Sequence, residues 1–215
     1  MDLALLGQVA WSVGIDFVAV CIGAVTGALF ALTRKLDIVG TVAMALLTGY
    51  GGGIMRDILL HDQGFFFMQQ PVLVVVCAAM AAVIFGLGHR ARMNRALNVA
   101  DTVSMAMFAL AGASKAWDAG VDPVYVVILG TITAVGGGAL ASIAVGEAPA
   151  IFKASSPYAI AGFNGTLVFA LLMIAGAPYA AACAACLGVA VFTRLAGLKL
   201  GWSTKPPSEG PASQG

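Results

Sequence analysis

Seven long apolar stretches, separated by short polar connectors, decide which solvent this chain folds in. They lie at 9–32, 38–60, 71–88, 99–117, 123–145, 157–176 and 178–197. A hydrocarbon core about 30 Å thick needs about 20 apolar residues per helix, which is close to the length of these stretches. Only 10% of the 215 residues are charged, against roughly 25% in soluble domains. The sequence therefore predicts an all-α integral membrane protein with seven transmembrane helices.

The basic residues predict how the chain is oriented, because cytoplasmic loops are enriched in lysine and arginine. Seven crossings place the two termini on opposite sides. With the N-terminus outside, nine of the eleven basic residues collect inside: Arg34, Lys35, Arg90, Arg92, Arg95, Lys153, Arg194, Lys199 and Lys205. We expect a bacterial-type inner (plasma) membrane protein with its C-terminus in the cytoplasm. Residues 203–215, rich in Pro, Ser and Gly, are predicted to form a disordered cytoplasmic tail.

The sequence also matches itself when it is shifted by 85 residues. The clearest matches are Gly51, Gly52 and Gly53 with Gly136, Gly137 and Gly138, Thr48 with Thr133, Asp16 with Asp101, and Asp37 with Asp122. We interpret the chain as one three-helix unit at 9–88, a second at 99–176 and a seventh helix at 178–197. Because each unit has an odd number of spans, the two units are predicted to insert in opposite directions, as an inverted repeat.

Each unit carries its triple glycine near the middle of its second helix. Glycine weakens a helix interior, and backbone groups freed by a helix break need protein or water to satisfy them inside a membrane. We expect the second and fifth helices to break and kink there and to line a pathway, with Thr48 and Thr133 adding hydroxyl oxygens. The alternative is close packing, since small residues let two helix backbones approach each other.

The segment GGGIMRD at 51–57 resembles the GGGxxRD signature of prokaryotic relatives of the trimeric intracellular cation (TRIC) channels, which have glycine-transporter-like, UPF0126 repeats. The segment ITAVGGGALASIAVGEAP fits the same pattern, and the resemblance covers residues 9–197. It implies a homotrimer with a potassium-permeable pore in each subunit, lined by the kinked helices at the six triplet glycines. Many bacterial relatives have Arg-Asp after both triplets, whereas the second copy here has Ala141 and Ser142. The related animal channels carry a lysine near the end of the fourth helix, where this chain has Lys115.

The charged residues inside the apolar stretches include Asp16, Arg56, Asp57 and Asp101. A charge in the bilayer costs about 2.5–3.5 kcal/mol on insertion scales, so each of them needs a partner or water. Asp16 lies two turns into the first helix and Arg56 one turn from the end of the second, so both lie at the same depth. We predict that they pair, either for stability alone or for permeation. Arg56 and Asp57 point about 100° apart on a helix, so we expect them to have separate partners.

Asp101 is the repeat equivalent of Asp16, but the position expected to hold its partner is Ala141. We expect Asp101 to be unpaired or solvated, where its carboxylate would concentrate cations at a pore mouth; the alternative is that it caps the fourth helix. The sequence leaves two interpretations of Lys115 open. Its side chain either extends to the lipid headgroups or turns inward as an electrostatic part of the outer gate.

These features favour a monovalent cation channel that passes potassium or sodium and has membrane lipids as partners, with a bound lipid compatible with the sequence. The alternative is a carrier of a small zwitterion such as glycine, because some bacterial members of the broader family are labelled glycine transporters and an inverted repeat serves either function. A net charge of +1 gives no indication of nucleic-acid binding. An enzyme is disfavoured, since His61 and His89 lie in loops on opposite sides. No metal or cofactor site is predicted.

Overall fold

The computed structural model describes residues 3–61, 64, 66–88, 93–152 and 158–202, and within these ranges all regular structure is helical. Every predicted span corresponds to a helix. The helices are α1 (Leu3–Thr33), α2 (Ile38–Leu60), α3 (Phe66–Gln69), α4 (Pro71–Leu87), α5 (Met93–Asp118), α6 (Pro123–Ala144), α7 (Tyr158–Ile174) and α8 (Tyr179–Leu200), with a 3₁₀ turn at Ala150–Phe152. The sequence did not predict α3 or the 3₁₀ turn.

Five helical segments are long and apolar enough to cross a membrane: Val13–Thr33, Ile38–Leu60, Asn94–Asp118, Pro123–Ala144 and Tyr179–Leu200. The chain is therefore a multi-pass membrane protein. The helices α4 and α7 are also apolar but have only 17 residues each, so the number of seven crossings stays a prediction. The orientation of the termini also stays a prediction. His89, Arg90, Arg92, Lys153, Lys205 and the predicted tail at 203–215 lie outside the described residues.

The repeated aspartates Asp37 and Asp122 begin α2 and α6 in the same way. The carboxylate of Asp37 accepts a hydrogen bond from the Gly40 N–H at 2.7 Å, and that of Asp122 accepts one from the Val124 N–H at 2.9 Å. Both are helix N-caps, which satisfy backbone donors that have no partner inside the helix. The caps fix where each helix starts, and therefore where its glycine triplet lies along the helix.

The packing of the helices follows the two predicted units. Helices α1, α2 and α4 pack on one another, and so do α5, α6 and α7. The two groups meet through equivalent helices, α1 against α5 and α2 against α6, and α8 packs on α5 and α7. The unit boundaries 9–88 and 99–176 stay a prediction. We call the side on which α1 ends the Arg34 face and the side on which α2 ends the His61 face.

Helices α2 and α6 meet at their glycine triplets, and neither helix is interrupted there. A Cβ atom on Gly52 would lie 2.2 Å from the carbonyl oxygen of Thr133, and one on Gly137 would lie 2.3 Å from that of Thr48. The expectation that the triplets break the helices is wrong. Gly52 and Gly137 instead let the two backbones touch, as the packing alternative requires. A bend of the helix axes at the triplets stays a prediction.

The other triplet glycines divide into two kinds. A Cβ on Gly51 would lie 3.2 Å from the Cα of Gly137, and one on Gly136 would lie 3.2 Å from the Cα of Gly52, so both belong to the helix contact. The nearest atom to a Cβ on Gly53 or on Gly138 would be a side-chain atom 3.9 Å away. The third glycine of each triplet therefore faces space rather than backbone.

We predict that Gly52→Ala destabilises the protein by about 1–3 kcal/mol, because the new methyl group overpacks the contact between α2 and α6. The matched control is Gly53→Ala, which meets no such contact and gains about 1 kcal/mol of helix propensity. Thermal melting of the two purified variants beside the unaltered protein measures the difference. Equal melting temperatures for Gly52→Ala and Gly53→Ala would contradict the packing role.

Candidate functional site

Four charged side chains meet near the His61 face: Asp16 on α1, Arg56 and Asp57 on α2, and Lys115 on α5. We call them the Arg56 cluster. The Nη1 and Nη2 atoms of Arg56 donate hydrogen bonds to the two carboxylate oxygens of Asp16 at 2.7 and 3.0 Å. The Arg56 side chain is only 1% exposed. The predicted contact between Asp16 and Arg56 is confirmed. It is bidentate, which is the strongest geometry that an arginine and a carboxylate form.

The same guanidinium also bonds its sequence neighbour. The Nε atom of Arg56 donates to Oδ1 of Asp57 at 2.9 Å, and Nη1 donates to the carbonyl oxygen of Ala111 at 3.2 Å. The expectation of separate partners for Arg56 and Asp57 is wrong. Adjacent helix positions point in different directions, but the long arginine side chain turns back far enough to reach the neighbouring carboxylate.

Asp57 has two further donors. The Nζ atom of Lys115 lies 2.9 Å from Oδ1 of Asp57, and the backbone N–H of Phe66 donates to Oδ2 at 2.9 Å. Lys115 therefore turns inward, and the alternative in which it extends to the headgroups is wrong. Because Phe66 begins α3, Asp57 also holds the segment between α2 and α4. The two carboxylates and two cations of the Arg56 cluster balance each other in charge.

Little space remains beside the Arg56 cluster. A cavity of about 10 Å³ lies among residues that include Asp16, Tyr50, Gly53 and Phe67, which is about the volume that one water needs. The hydroxyl of Tyr50 is buried and has no hydrogen-bond partner among the described residues. Its ring meets that of Phe67 edge to face, with the centroids 5.0 Å apart. The side chains around the Arg56 cluster therefore fill this part of the subunit almost completely.

Asp101, the repeat equivalent of Asp16, lies near the Arg34 face. The hydroxyl of Tyr158 donates to its Oδ1 at 3.0 Å, and Nη2 of Arg194 lies 3.7 Å from its Oδ2. The guanidinium of Arg194 also lies over the Tyr158 ring, 4.7 Å from the centroid. The expectation that Asp101 is unpaired is therefore wrong. The capping alternative is wrong too, because α5 begins at Met93 and Asp101 lies in its interior.

A cavity of about 160 Å³ opens beside Asp101. Its polar lining residues are Thr26, Thr48, Asn98, Asp101, Ser142 and Tyr158. Gly138, the third glycine of its triplet, and Ala141 contribute to the wall. Ala141 occupies the repeat position of Arg56. The Tyr158 hydroxyl lies 3.9 Å from a Cβ on Gly138, as Nη2 of Arg56 lies 3.9 Å from one on Gly53, so a hydroxyl stands where the first unit has a guanidinium. We call this space the Asp101 cavity.

The two repeated threonines, Thr48 and Thr133, differ in the hydrogen bonding of their hydroxyl groups. The hydroxyl of Thr48 is buried, lines the Asp101 cavity and has no hydrogen-bond partner in the described part of the chain. Thr133 is fully buried and donates to the carbonyl oxygen of Leu129 at 2.6 Å. Among the described residues, the hydroxyl of Thr48 therefore stays without a partner beside the cavity. A pathway-lining role stays a prediction for both threonines.

An exposed ion pair lies on the Arg34 face near this cavity. Nη2 of Arg34, in the turn after α1, donates to Oε2 of Glu147 at 2.8 Å. The hydrogen bond to Glu147 raises the pKa of Arg34 above its ordinary value, so the guanidinium stays charged. Phe30, whose ring lies 4.8 Å from the Arg34 guanidinium carbon, also lines the Asp101 cavity.

The sequence interpretation missed Tyr50, Tyr158 and Arg194 as parts of these sites. A signal for Arg194 was present, because it is the one charge inside the last apolar stretch. It lies about as far from the end of α8 as Asp101 lies from the start of α5, which places both near the Arg34 face. Tyr158, at the start of α7, gave no comparable signal, since tyrosine is common in membrane helices near their ends. Tyr50 lies in the middle of α2 and carries no charge that would have marked it.

Comparisons with known proteins agree with this architecture. A model of a family described as glycine transporter matches the chain twice, at residues 13–89 and 98–174. A UPF0126 membrane protein of Deinococcus radiodurans is 30% identical over 153 residues, which cover 70% of this chain and 71% of that protein. The UPF0126 inner membrane protein YadS of Escherichia coli is 29% identical over 197 residues, covering 90% of this chain and 94% of that protein.

Solved structures share the fold. The TRIC trimeric intracellular cation channel orthologue from Rhodobacter sphaeroides superposes with a TM-score of 0.83 at 34% identity, covering 89% of this chain and 98% of that chain. A second structure, described in terms of conductance through TRIC cation channels, has a TM-score of 0.80 at 24% identity, covering 92% and 98%. Because its identity is only 24%, the similarity to this second structure shows the fold alone.

We predict that Arg56→Ala destabilises the protein by about 3–5 kcal/mol, because it leaves the buried carboxylates of Asp16 and Asp57 without their shared partner. The matched control is Arg34→Ala, which removes an exposed arginine–glutamate pair and should cost about 0–1 kcal/mol. Melting temperatures of the purified variants measure both. A loss for Arg56→Ala no larger than that for Arg34→Ala would contradict the role given to the Arg56 cluster.

Proposed function

We propose that this chain, which belongs to the TRIC channel family, is a cation channel that conducts monovalent cations, potassium among them, through a pathway inside each subunit. The observation that carries the proposal is the pair of cavities on the two sides of the glycine contact between α2 and α6. The Asp101 cavity lies toward the Arg34 face, and the smaller cavity at the Arg56 cluster lies toward the His61 face. Thr48 and Tyr50, two residues apart on α2, each line one of them.

The closed part of the proposed pathway is the half at the His61 face. A cavity of about 10 Å³ has room for about one water and none for a hydrated cation. Conduction therefore requires a movement that separates Tyr50 and Phe67 or draws the Arg56 cluster aside. Lys115 takes part in such a gate, because its ammonium is held at this point by Asp57.

The proposed assembly is a homotrimer in a bacterial-type inner membrane, with the Arg34 face in the cytoplasm. The trimeric state is supported by the similarity to the Rhodobacter sphaeroides orthologue, a trimeric intracellular cation channel. The orientation is supported by the excess of basic residues predicted on the Arg34 face. Large apolar side chains such as Trp11, Val39, Val72 and Phe192 are exposed on the isolated subunit, and neighbouring subunits or membrane lipids would cover them.

A second candidate function is a carrier of a small zwitterion such as glycine. The description of the matching family as glycine transporter supports it. So does the presence of opposite charges beside the Asp101 cavity, where Arg194 lies 3.7 Å from the carboxylate of Asp101. A zwitterion could place its ammonium group toward Asp101.

Recording in a planar bilayer separates the two functions. The channel proposal expects discrete unitary currents carried by potassium in purified, reconstituted protein. The carrier expects saturable glycine uptake into proteoliposomes with no unitary currents. Uptake of that kind together with silent bilayers would overturn the channel proposal.

We predict that Lys115→Gln raises potassium conductance or open probability at low salt, because the Arg56 cluster then carries a net charge of −1. A unit charge about 4 Å from an ion changes its energy by about 1 kcal/mol in water and about 4 kcal/mol at an effective dielectric of 20. The increase should be largest at about 0.01 M salt, where the Debye length is about 30 Å, and should fade at about 1 M, where it is about 3 Å.

The control for this variant is Lys199→Gln, which removes an exposed lysine in the last turn of α8. It should leave the currents unchanged at either salt concentration. Currents of Lys115→Gln that equal those of the unaltered protein at both concentrations would show that the lysine has no part in gating.

A further inference from the structure

We propose that the Asp101 cavity binds one partly dehydrated alkali cation that enters from the Arg34 face. We further propose that this site exists because Ala141 and Ser142 stand where the first unit has Arg56 and Asp57. The inference rests on the proposed function, for which it names the place where the ion pauses in this half of the pathway.

The two units hold equivalent carboxylates in opposite states. The side chain of Asp16 is 8% exposed behind the guanidinium of Arg56, and the space beside it is about 10 Å³. The side chain of Asp101 is 28% exposed, and the space beside it is about 160 Å³. With alanine in place of the arginine, Asp101 is contacted by the smaller hydroxyl of Tyr158 and by Arg194 at 3.7 Å instead. The carboxylate therefore keeps a larger exposed fraction beside the cavity.

Three of the four hydroxyl groups that line the Asp101 cavity already donate their protons to other atoms. Ser142 donates to the carbonyl oxygen of Gly138 at 2.9 Å, Thr26 donates to that of Ile22 at 2.9 Å, and Tyr158 donates to Asp101. Each hydroxyl oxygen keeps lone pairs that can act only as acceptors. Oxygen acceptors are the ligands that hard cations require, so this lining suits a cation better than an anion.

Thr48 supplies an independent indication of a ligand. Its side chain is 5% exposed, lines the Asp101 cavity, and its hydroxyl has no hydrogen-bond partner among the described residues. A buried hydroxyl without a partner costs free energy, and the repeat equivalent, Thr133, avoids this cost by bonding to Leu129. A bound cation or its remaining water would give the Thr48 oxygen the partner it lacks.

Arg194 keeps the site weak. Its guanidinium lies 3.7 Å from Asp101, so the carboxylate is partly neutralised before an ion arrives. Conduction requires a site that an ion can enter and also leave. A bare carboxylate in the same place would hold the cation longer and slow its passage.

Three variants test the site in unitary-current recordings with potassium at about 0.01 M on the Arg34 face. Asp101→Asn should lower the current entering from that face about fivefold, which is the effect of one unit charge about 4 Å away in water. The loss should shrink at about 1 M salt. The matched control is Asp37→Asn, an exposed carboxylate on the same face whose N-cap role asparagine preserves, and it should conduct normally.

Ala141→Arg restores the residue of the first unit and should place a guanidinium against Asp101, so that the protein stays folded and the current is lost. Thr48→Val removes only the unpartnered oxygen, so the melting temperature should stay the same or rise while the current falls. This combination distinguishes an ion site from a structural role, which would lower the melting temperature.

The outcomes separate the inference from the function on which it rests. If the unaltered protein passes no cation current, the proposed function fails. If it conducts normally but Asp101→Asn keeps full current at low salt, or folded Ala141→Arg still conducts, the cation site is wrong and the channel stands. In melting experiments, potassium or sodium should stabilise the unaltered protein more than Asp101→Asn. Stabilisation by glycine but by neither cation would overturn the cation assignment.

Discussion

The backbone contact between α2 and α6 is the constraint on which the rest of this structure depends. Lipid tails are as apolar as the helix surfaces, so helices in a membrane associate through close packing rather than through the hydrophobic effect. The contact is reciprocal, because Gly52 lies on the carbonyl of Thr133 and Gly137 lies on the carbonyl of Thr48. It joins the two units through equivalent positions and leaves the third glycine of each triplet, Gly53 or Gly138, facing a cavity on its own side.

The two units solve the same electrostatic problem with different residues. Each unit carries an aspartate in its first helix, at least two turns from the start of that helix. A carboxylate inside the membrane must have a partner. Asp16 takes Arg56 from its own unit. Asp101 has alanine at the equivalent position and is served by Tyr158 of α7 and Arg194 of α8. Helix α8, which belongs to neither unit, therefore supplies through Arg194 the positive charge that Arg56 supplies in the first unit. The small side chain of Ala141 lines the Asp101 cavity.

The sequence predicted the features that depend on hydropathy and on position along a helix. These include the seven helices corresponding to the apolar stretches, and the pairing of Asp16 with Arg56. It failed where the direction of a side chain around its helix axis decides the outcome. Depth alone could not show that Arg56 turns back to Asp57, that Lys115 turns inward, or that α8 brings Arg194 to Asp101.

The prediction from the sequence was also wrong for the triplet glycines, because helix weakening by glycine is a local effect whereas the contact between α2 and α6 is tertiary. The four residues of α3 are too few to give a periodic pattern.

In the proposed channel, cations pass through the interior of each subunit along the Asp101 cavity. The most direct test is the blocking of potassium currents by a positively charged, thiol-reactive reagent added at the Arg34 face. The protein would carry a single engineered cysteine and alanine at its four native cysteines, Cys21, Cys77, Cys183 and Cys186. We predict that Ser142→Cys, in the cavity lining, loses current on modification. We predict that Ile143→Cys, at the neighbouring exposed position, keeps its current. Unchanged current after confirmed modification of Ser142→Cys would contradict a pathway through this cavity.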